Sequence, residues 1–430
     1  MKKWKVRLAA VALAMVSFTS CALAQQVNLT FRFNDTEEKE MRAALDVFEA
    51  QNPNIKVTLQ RIGWRDARDQ YLREAAVGQG PDVVHLAQVW VKEMGKAGAL
   101  QPLNAFMKKS PPTSGGFGDF IAAELAQDKA GEIFGLPWTT DTWAMVYRTD
   151  LLKEAGISKL PDTWADLHDA SAQVTKRTGK SGFGFPAGSS SSGAIWFLAN
   201  FYWWSNGKAM IVQKPDGTFG MDLTAADVAE AMRYFKSFIT EGQNPVSNLN
   251  ASDAHDPAIL QALVTGKQAM ATMPPNTYKQ VLTAYAQANP GKPLPFVSGP
   301  IPKGTLTHSS MIGGRMLAIN ANSKNPAEAW KLIQFMVSEP IFTKYYTDQF
   351  PAQRSLLKKV DFGTEMKGFA EQLGYARTWG AYADGPVPIG TMWNATGRAF
   401  GTALSGQRSE ADTAAELVET IDKLVKAEKR

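Results

Sequence analysis

Apolar and polar positions change their period along this chain in a way that marks out elements. Val27-Asn28-Leu29-Thr30-Phe31 alternates apolar with polar residues, the period of a half-buried strand. Asn34-Asp35-Thr36 reads as loop and cap, with Asp35 and Glu38 spaced as a capping box. Met41, Leu45 and Phe48 then recur at helical spacing until Asn52-Pro53-Asn54 stops the helix. Ile55, Val57 and Leu59 alternate as a second strand, and a second helix over roughly Arg65 to Val77 ends at Gly78-Gln79-Gly80-Pro81. Val83-Val84 opens a short buried strand. Strand, helix, strand, helix, strand at this spacing predicts βαβ units and a parallel sheet. Such sheets bind ligands beyond the C-terminal ends of their strands, which makes Asp35, Trp64, Gln88 and Trp90 candidate binding residues.

Further along, Gly135-Leu136-Pro137-Trp138 leads into a strand-like run, Trp143-Ala144-Met145-Val146-Tyr147. Pro161-Asp162-Thr163 caps a helix beginning at Trp164. Residues 181–193 are rich in Gly and Ser and read as a flexible loop rather than a phosphate cradle. Between Ala194 and Trp204 helical spacing puts Trp196, Asn200 and the Trp203-Trp204 pair near one face, and two adjacent rings cannot both point inward from a one-faced helix. The Pro-rich stretch 289–304 reads as a crossover. A strand at Met316-Leu317-Ala318-Ile319 follows, then a helix opened by Asn325 as N-cap, Pro326 and Glu328, with Trp330, Ile333 and Val337 as its buried stripe. The last helix, Glu410 to Lys426, is amphipathic through Leu417, Ile421 and Leu424. The chain shows no internal repeat.

Composition narrows the class. At 430 residues and 44% hydrophobic, the chain is neither disordered nor a small disulfide scaffold, and it is long enough for two cores. A net charge of +5 taken alone points to nucleic acid or a membrane surface. Yet Lys2, Lys3, Lys5 and Arg7 supply four of those five charges, ahead of an apolar run from Leu8 to Phe18 and the small residues of Ala22-Leu23-Ala24. That is the layout of a secretory signal peptide over residues 1–24, with an apolar stretch too short to span a bilayer comfortably. Cleavage before Gln25 leaves a nearly neutral chain, so no nucleic-acid partner is expected. The one cysteine, Cys21, lies in the same segment. Read as a lipoprotein signal, Phe18-Thr19-Ser20-Cys21 carries Phe where Leu is usual, so a soluble periplasmic protein without thiols is the expectation over a lipid anchor at Cys21.

The chemistry on offer is that of binding. There is no G-x-S-x-G, H-E-x-x-H, Walker A or G-x-G-x-x-G motif, and His85, His168, His255 and His308 lie scattered, so neither metal nor cofactor is expected. Paired carboxylates of a glycoside hydrolase remain the enzymatic alternative. Trp64, Trp90, Trp143, Trp204, Trp379 and Trp393 all stand near turns or glycines, beside short polar residues. An indole packs on the apolar face of a sugar ring while Asp, Asn, Gln and Arg take its hydroxyls. At about 0.5–1.5 kcal/mol per stacked ring and about 1.5–3 kcal/mol per charged hydrogen bond, a few of each reach a micromolar site without any catalytic group.

Six segments carry a family resemblance: Phe48 to Val57, Gly80-Pro81-Asp82-Val83-Val84, Gly135 to Leu152, Gly266-Lys267-Gln268-Ala269-Met270, Gly313-Gly314 before a strand, and Asn325 to Trp330. In this order the chain resembles the extracellular solute-binding proteins of ABC sugar importers, in their maltose-binding-protein-like branch. The resemblance implies an α/β, two-lobed periplasmic binding protein fold with discontinuous lobes, hinge strands and a central ligand cleft. The lobes expected are 25–137 plus 299–350 and 138–298 plus 351–430. It also implies a monomeric, non-enzymatic subunit that closes on a carbohydrate and docks on permease subunits in the inner membrane.

Carried over residue by residue, Asp141 matches the carboxylate that binds sugar hydroxyls after the first lobe crossing; its other reading is a turn residue. Trp143 faces the cleft or begins the strand's buried face, and Trp64, after Gly63, matches a ligand loop or packs in the core. Asn276 and Tyr278 follow Met273-Pro274-Pro275, where sugar binders often carry a stacking aromatic; packing at a helix start is the alternative. Many α-glucoside binders have Trp after the paired glycines, whereas this chain reads Gly313-Gly314-Arg315, which argues against a simple maltodextrin site. Arg315 can take hydroxyls or a carboxylate, or form a salt bridge at the cleft rim. Arg354 lies near the last crossing, and Trp379 and Trp393, in Gly-rich loops, could close over the sugar. A polyamine, peptide or phosphodiester ligand on the same scaffold stays open.

Overall fold

The computed structural model describes residues 26–34, 38–187, 194–245, 248, 251, 256–346, 349–361 and 363–427, without the side chain of Arg65. The signal segment with Cys21, the candidate Asp35, His255 and the Ser-rich tract 188–193 lie outside the described residues. The described chain forms strands β1 (Val27–Phe33), β2 (Ile55–Arg61), β3 (Val83–Ala87), β4 (Leu136–Asp141), β5 (Ala144–Arg148), β6 (Ser181–Gly184) and β7 (Ile211–Gln213). After these come β8 (Phe219–Met221), β9 (Gln268–Met273), β10 (Phe296–Gly299), β11 (Ser310–Met311), β12 (Gly313–Ile319), β13 (Phe350–Pro351) and β14 (Ala376–Arg377), with helices between.

Two sheets organise the molecule. The larger has the order β13-β4-β12-β3-β1-β2, and β1, β2 and β3 are parallel, as the βαβ spacing predicts. Leu29, Phe31 and Phe33 alternate inward from β1 and share a core with Leu45 and Phe48 of helix Glu38–Gln51 and with Trp330 and Ile333 of helix Pro326–Val337. The smaller sheet has the order β10-β5-β9-β6. Every residue of β5 and β9 is buried, because helices cover both faces: Ala144 and Val146 enter one core, Met145 and Tyr147 the other.

The chain passes from the larger sheet to the smaller across Thr142 and Trp143 alone. β4 holds its ladder to Asp141, so the larger sheet keeps the chain beyond the crossing expected at 137/138. It returns from β10 through the short β11, which pairs with β14, into β12.

Four local expectations are corrected. Ser181–Gly184 is a strand and not loop: a Cβ on Gly182 would strike the Ser171 backbone, so the glycines that read as loop residues instead allow close helix–strand packing. Trp203 and Trp204 are both 2% exposed, because helix Ala194–Ser205 is packed on several sides rather than one. Trp203 packs on Phe400, and Trp204 packs on Trp379 and Tyr382. In the last helix Val425 (2% exposed) completes the stripe of Leu417 and Ile421, while Leu424 is 37% exposed; a four-residue step keeps that face in line. Asn325 stands at the N-cap position, but its side chain makes no capping bond.

Candidate functional site between the sheets

Strand direction decides what meets at the crossing. Because β12 runs against β3, its first residues lie beside the end of β3, with Arg315 opposite Ala87. β4 runs against β12, so its last residue, Asp141, stands opposite Gly313. The C-terminal ends of β1 to β3, the end of β4 and the start of β12 therefore share one edge. In the smaller sheet Ala144 of β5 pairs with Met273 at the end of β9, which places Trp143 and the start of helix Pro275–Ala288 on the corresponding edge.

On the first edge, Arg315 Nη1 donates to Asp141 Oδ2 at 2.6 Å, with the two residues 7% and 6% exposed. The paired glycines make room for this bond. A Cβ on Gly313 would collide with Asp141 Oδ1, and one on Gly314, whose φ is +138°, would collide with the Thr139 carbonyl. The ladder shifts register between Arg315 and Met316, a bulge that re-aims the arginine. Its guanidinium lies 5.8 Å from the centre of the half-buried Trp64 ring, a cation–π arrangement. Trp64 in turn contacts Trp90 (5.5 Å between centroids) and the buried His85 (5.9 Å). Gln88 Nε2 donates to the Ile312 carbonyl at 2.5 Å, which ties the loop after β3 to the return crossing.

The facing edge is aromatic. Trp143 packs on the half-buried Phe197 at 4.5 Å, and its backbone N–H donates to Ser310 Oγ. Phe197 also meets Trp393 at 5.4 Å and Trp379 at 6.0 Å. Trp379 is stacked on Trp196, and Trp204 donates through Nε1 to Tyr382 Oη while Arg377 covers its ring at 5.0 Å. Trp393 lies on helix Ile389–Leu404 and not in a loop, and Trp379 immediately precedes Gly380.

Asp141, Gly314, Arg315, Trp64, Trp90 and Gln88 thus lie on one side, and Trp143, Trp204, Trp379 and Trp393 on the other; Trp64 and Trp393 are half-buried, whereas Trp90, Trp143, Trp204 and Trp379 are packed into the core, so these four serve as packing rather than as open platforms. Asn276 is buried in the first turn of its helix, accepting from the Thr277 N–H. Tyr278 is fully buried and stacks on Phe369, and burial pushes its phenol pKa up. That is the packing role rather than an open stacking platform. Arg354 is exposed on the short helix Arg354–Leu357, whose Ser355 bonds Asp119, outside this grouping.

Four further residues take part that the sequence pattern does not announce. His85 sits between Trp64 and Trp138 and accepts the Asn34 N–H at Nδ1. Phe197 lies in helix Ala194–Ser205, whose almost wholly apolar sequence does not mark out a site-facing position. Lys92 Nζ and Asp384 join the two halves at 2.7 Å, a pair 292 residues apart that no local pattern announces. Among the described residues no group of three or more His, Cys, Asp or Glu could hold a metal ion, and no helix is long and apolar enough to cross a membrane.

Comparison with known proteins agrees with this fold. The family model for bacterial extracellular solute-binding proteins matches residues 34–341. The maltodextrin-binding protein MdxE of Bacillus subtilis is 24% identical over 414 residues, covering 93% of this chain and 90% of that protein. The GacH receptor of Streptomyces glaucescens, solved unliganded and with acarbose, superposes with a TM-score of 0.78 at 22% identity, over 93% of this chain and 99% of that one. A solute-binding protein of Thermotoga lettingae bound with α-D-tagatose superposes with a TM-score of 0.79 at 18% identity, over 93% and 100%. The likeness is to the two-lobe fold that the paired sheets build here. With more than half of its length inside the family model, the chain belongs to the bacterial extracellular solute-binding proteins.

Proposed function

We propose that this protein is the carbohydrate-capturing subunit of an ABC importer, exported by residues 1–24, monomeric and without catalytic activity of its own. The observation that carries this reading is the Asp141–Arg315 pair beside Trp64 on one edge, facing the ring cluster of Trp143, Phe197 and Trp393 on the other. Rings for the apolar faces of a sugar and fixed polar groups for its hydroxyls are what such a ligand requires. The first lobe boundary, expected at 137/138, moves to Thr142-Trp143, so the lobes proposed are 25–141 plus 299–350 and 144–298 plus 351–430. Hinge closure over the ligand would then present the closed form to the permease. The sugar ligands of relatives such as MdxE and the Thermotoga lettingae protein support the same class.

Titration calorimetry and tryptophan fluorescence against neutral mono- and oligosaccharides test the reading. Micromolar binding without turnover is the expected result. Hydrolysis of a glycoside, or tight binding of a polyamine or peptide in place of every sugar, would replace it.

A further inference from the structure

Resting on the carbohydrate reading, we propose that the site takes a ligand of one or two sugar residues, and that Lys92 and Asp384 set this limit by closing the space between the two edges beyond their rings. A stacked sugar needs an aromatic face open to it. Trp90, Trp143, Trp204 and Trp379 are each 5% exposed or less and are packed on neighbouring rings. Trp64 on one edge, and Phe197 and Trp393 on the other, stay half-buried. Phe197 and Trp393 touch at 5.4 Å, so the facing edge offers one compact patch rather than a row of platforms. The buried residues beside them, Trp90 and Val91 on one edge and Trp143 and Trp379 on the other, belong to a single apolar cluster, so apolar packing is continuous from edge to edge. One indole opposite one patch matches a sugar residue held by its two faces and a neighbour at its side, not a long chain.

The charged pair supplies the stop. Lys92 stands two residues after Trp90, in helix Val91–Lys96, and its side chain is 15% exposed. Asp384 ends the short helix Ala381–Asp384, which follows Trp379-Gly380 and precedes the helix carrying Trp393. Lys92 Nζ donates to Asp384 Oδ1 at 2.7 Å, which joins the segment after the rings of one half to the segment between two rings of the other. A sugar ring between two surfaces needs carbon contacts at about 3.5–4.0 Å on each face, so no residue of an oligosaccharide passes where this bond is made. A longer ligand must break the pair and uncover the Lys92 stem, or hold the two edges apart and lose contact with one of them.

Calorimetry on the full mature chain, with the one- to five-residue oligomers of glucose, mannose, galactose and xylose, reads affinity against length. In the wild type, affinity should peak at one or two residues and fall by about fivefold or more at three, the size of a partly exposed ion pair lost. The Lys92→Ala, Asp384→Ala variant should remove most of that fall, and Lys92→Arg, which can still reach the carboxylate, should keep it. A Lys92 that touched the sugar directly would lower affinity at every length and leave the ratio between lengths unchanged. Wild-type affinity that keeps rising through three residues, or a double alanine variant with an unchanged ratio, overturns the proposal and leaves the carbohydrate reading intact. Failure of every neutral sugar, these included, overturns the carbohydrate reading itself.

Discussion

At the scale of single residues, the Asp141–Arg315 pair controls which substitutions can report on binding. Removing one member of a buried ion pair leaves the other charged and desolvated, at about 3–5 kcal/mol. Asp141→Ala should therefore lower the melting temperature of the ligand-free protein, a result that differential scanning calorimetry reads directly. Trp143 is similar. It is buried against Phe197 and Phe201, so Trp143→Ala should cost about 3–5 kcal/mol of stability in urea unfolding, whereas Trp143→Phe should unfold near the wild-type midpoint. Both residues stand out in the sequence as polar or aromatic positions near a crossing. That Asp141 bonds Arg315, 174 positions away, is not visible there, because the register of β12 against β4 brings them together.

Elements show how local chemistry and tertiary packing divide the work. Helix Trp164–Thr178 starts where Pro161-Asp162-Thr163 says it should, with a reciprocal capping box between Thr163 and Asp166. The Thr163 hydroxyl and backbone N–H hold the Asp166 carboxyl below its ordinary pKa, and the Lys236 side chain does the same for Glu410. A carboxyl whose pKa is lower in the folded state than in the unfolded one stabilises the fold above the unfolded value, and that contribution is lost as pH falls through the folded value. Thermal melts should thus be level near neutrality and decline on acidification through and below the usual carboxylate range; the Asp166→Asn, Glu410→Gln variant should show a shallower decline. Helix Ala194–Ser205 behaves differently. Nearly every position is apolar, so it carries no 3.6-residue stripe from which an inward face can be chosen, and only the surrounding helices determine that ten of its twelve residues are buried. The same ambiguity hid β6, since its glycines read as loop until Ser171 and Gln268 are seen packed against them.

For the whole molecule, two sheets joined by a two-residue crossing and the return through β11 and β12 form the frame of a hinge, and the Lys92–Asp384 pair bridges its halves. A ligand held between the halves should raise the melting temperature with its concentration, contributing about 2.7 kcal/mol at a hundred times its dissociation constant; a thermal-shift titration checks this. Lys92→Ala should change ligand-free stability by less than about 1 kcal/mol, as partly exposed pairs do, and should weaken affinity only at low salt. A loss of affinity that persists at high salt would assign Lys92 a direct ligand contact instead.

By itself the sequence determined the parallel βαβ start, the Thr163 cap, the stop of the first helix at Asn52-Pro53, and the richness in tryptophan near turns. Each of these rests on interactions within a few residues or on a repeated period, which the order of amino acids states directly. Only the tertiary structure decided that Trp64 and Trp393 stay half-buried while Trp90, Trp143, Trp204 and Trp379 pack into the core, that Tyr278 packs and Arg354 stands apart, and that Arg315 pairs with Asp141. Those outcomes depend on strand register, on a bulge and on the enclosure of one helix from several directions, where residues far apart in sequence compete for the same space and charge.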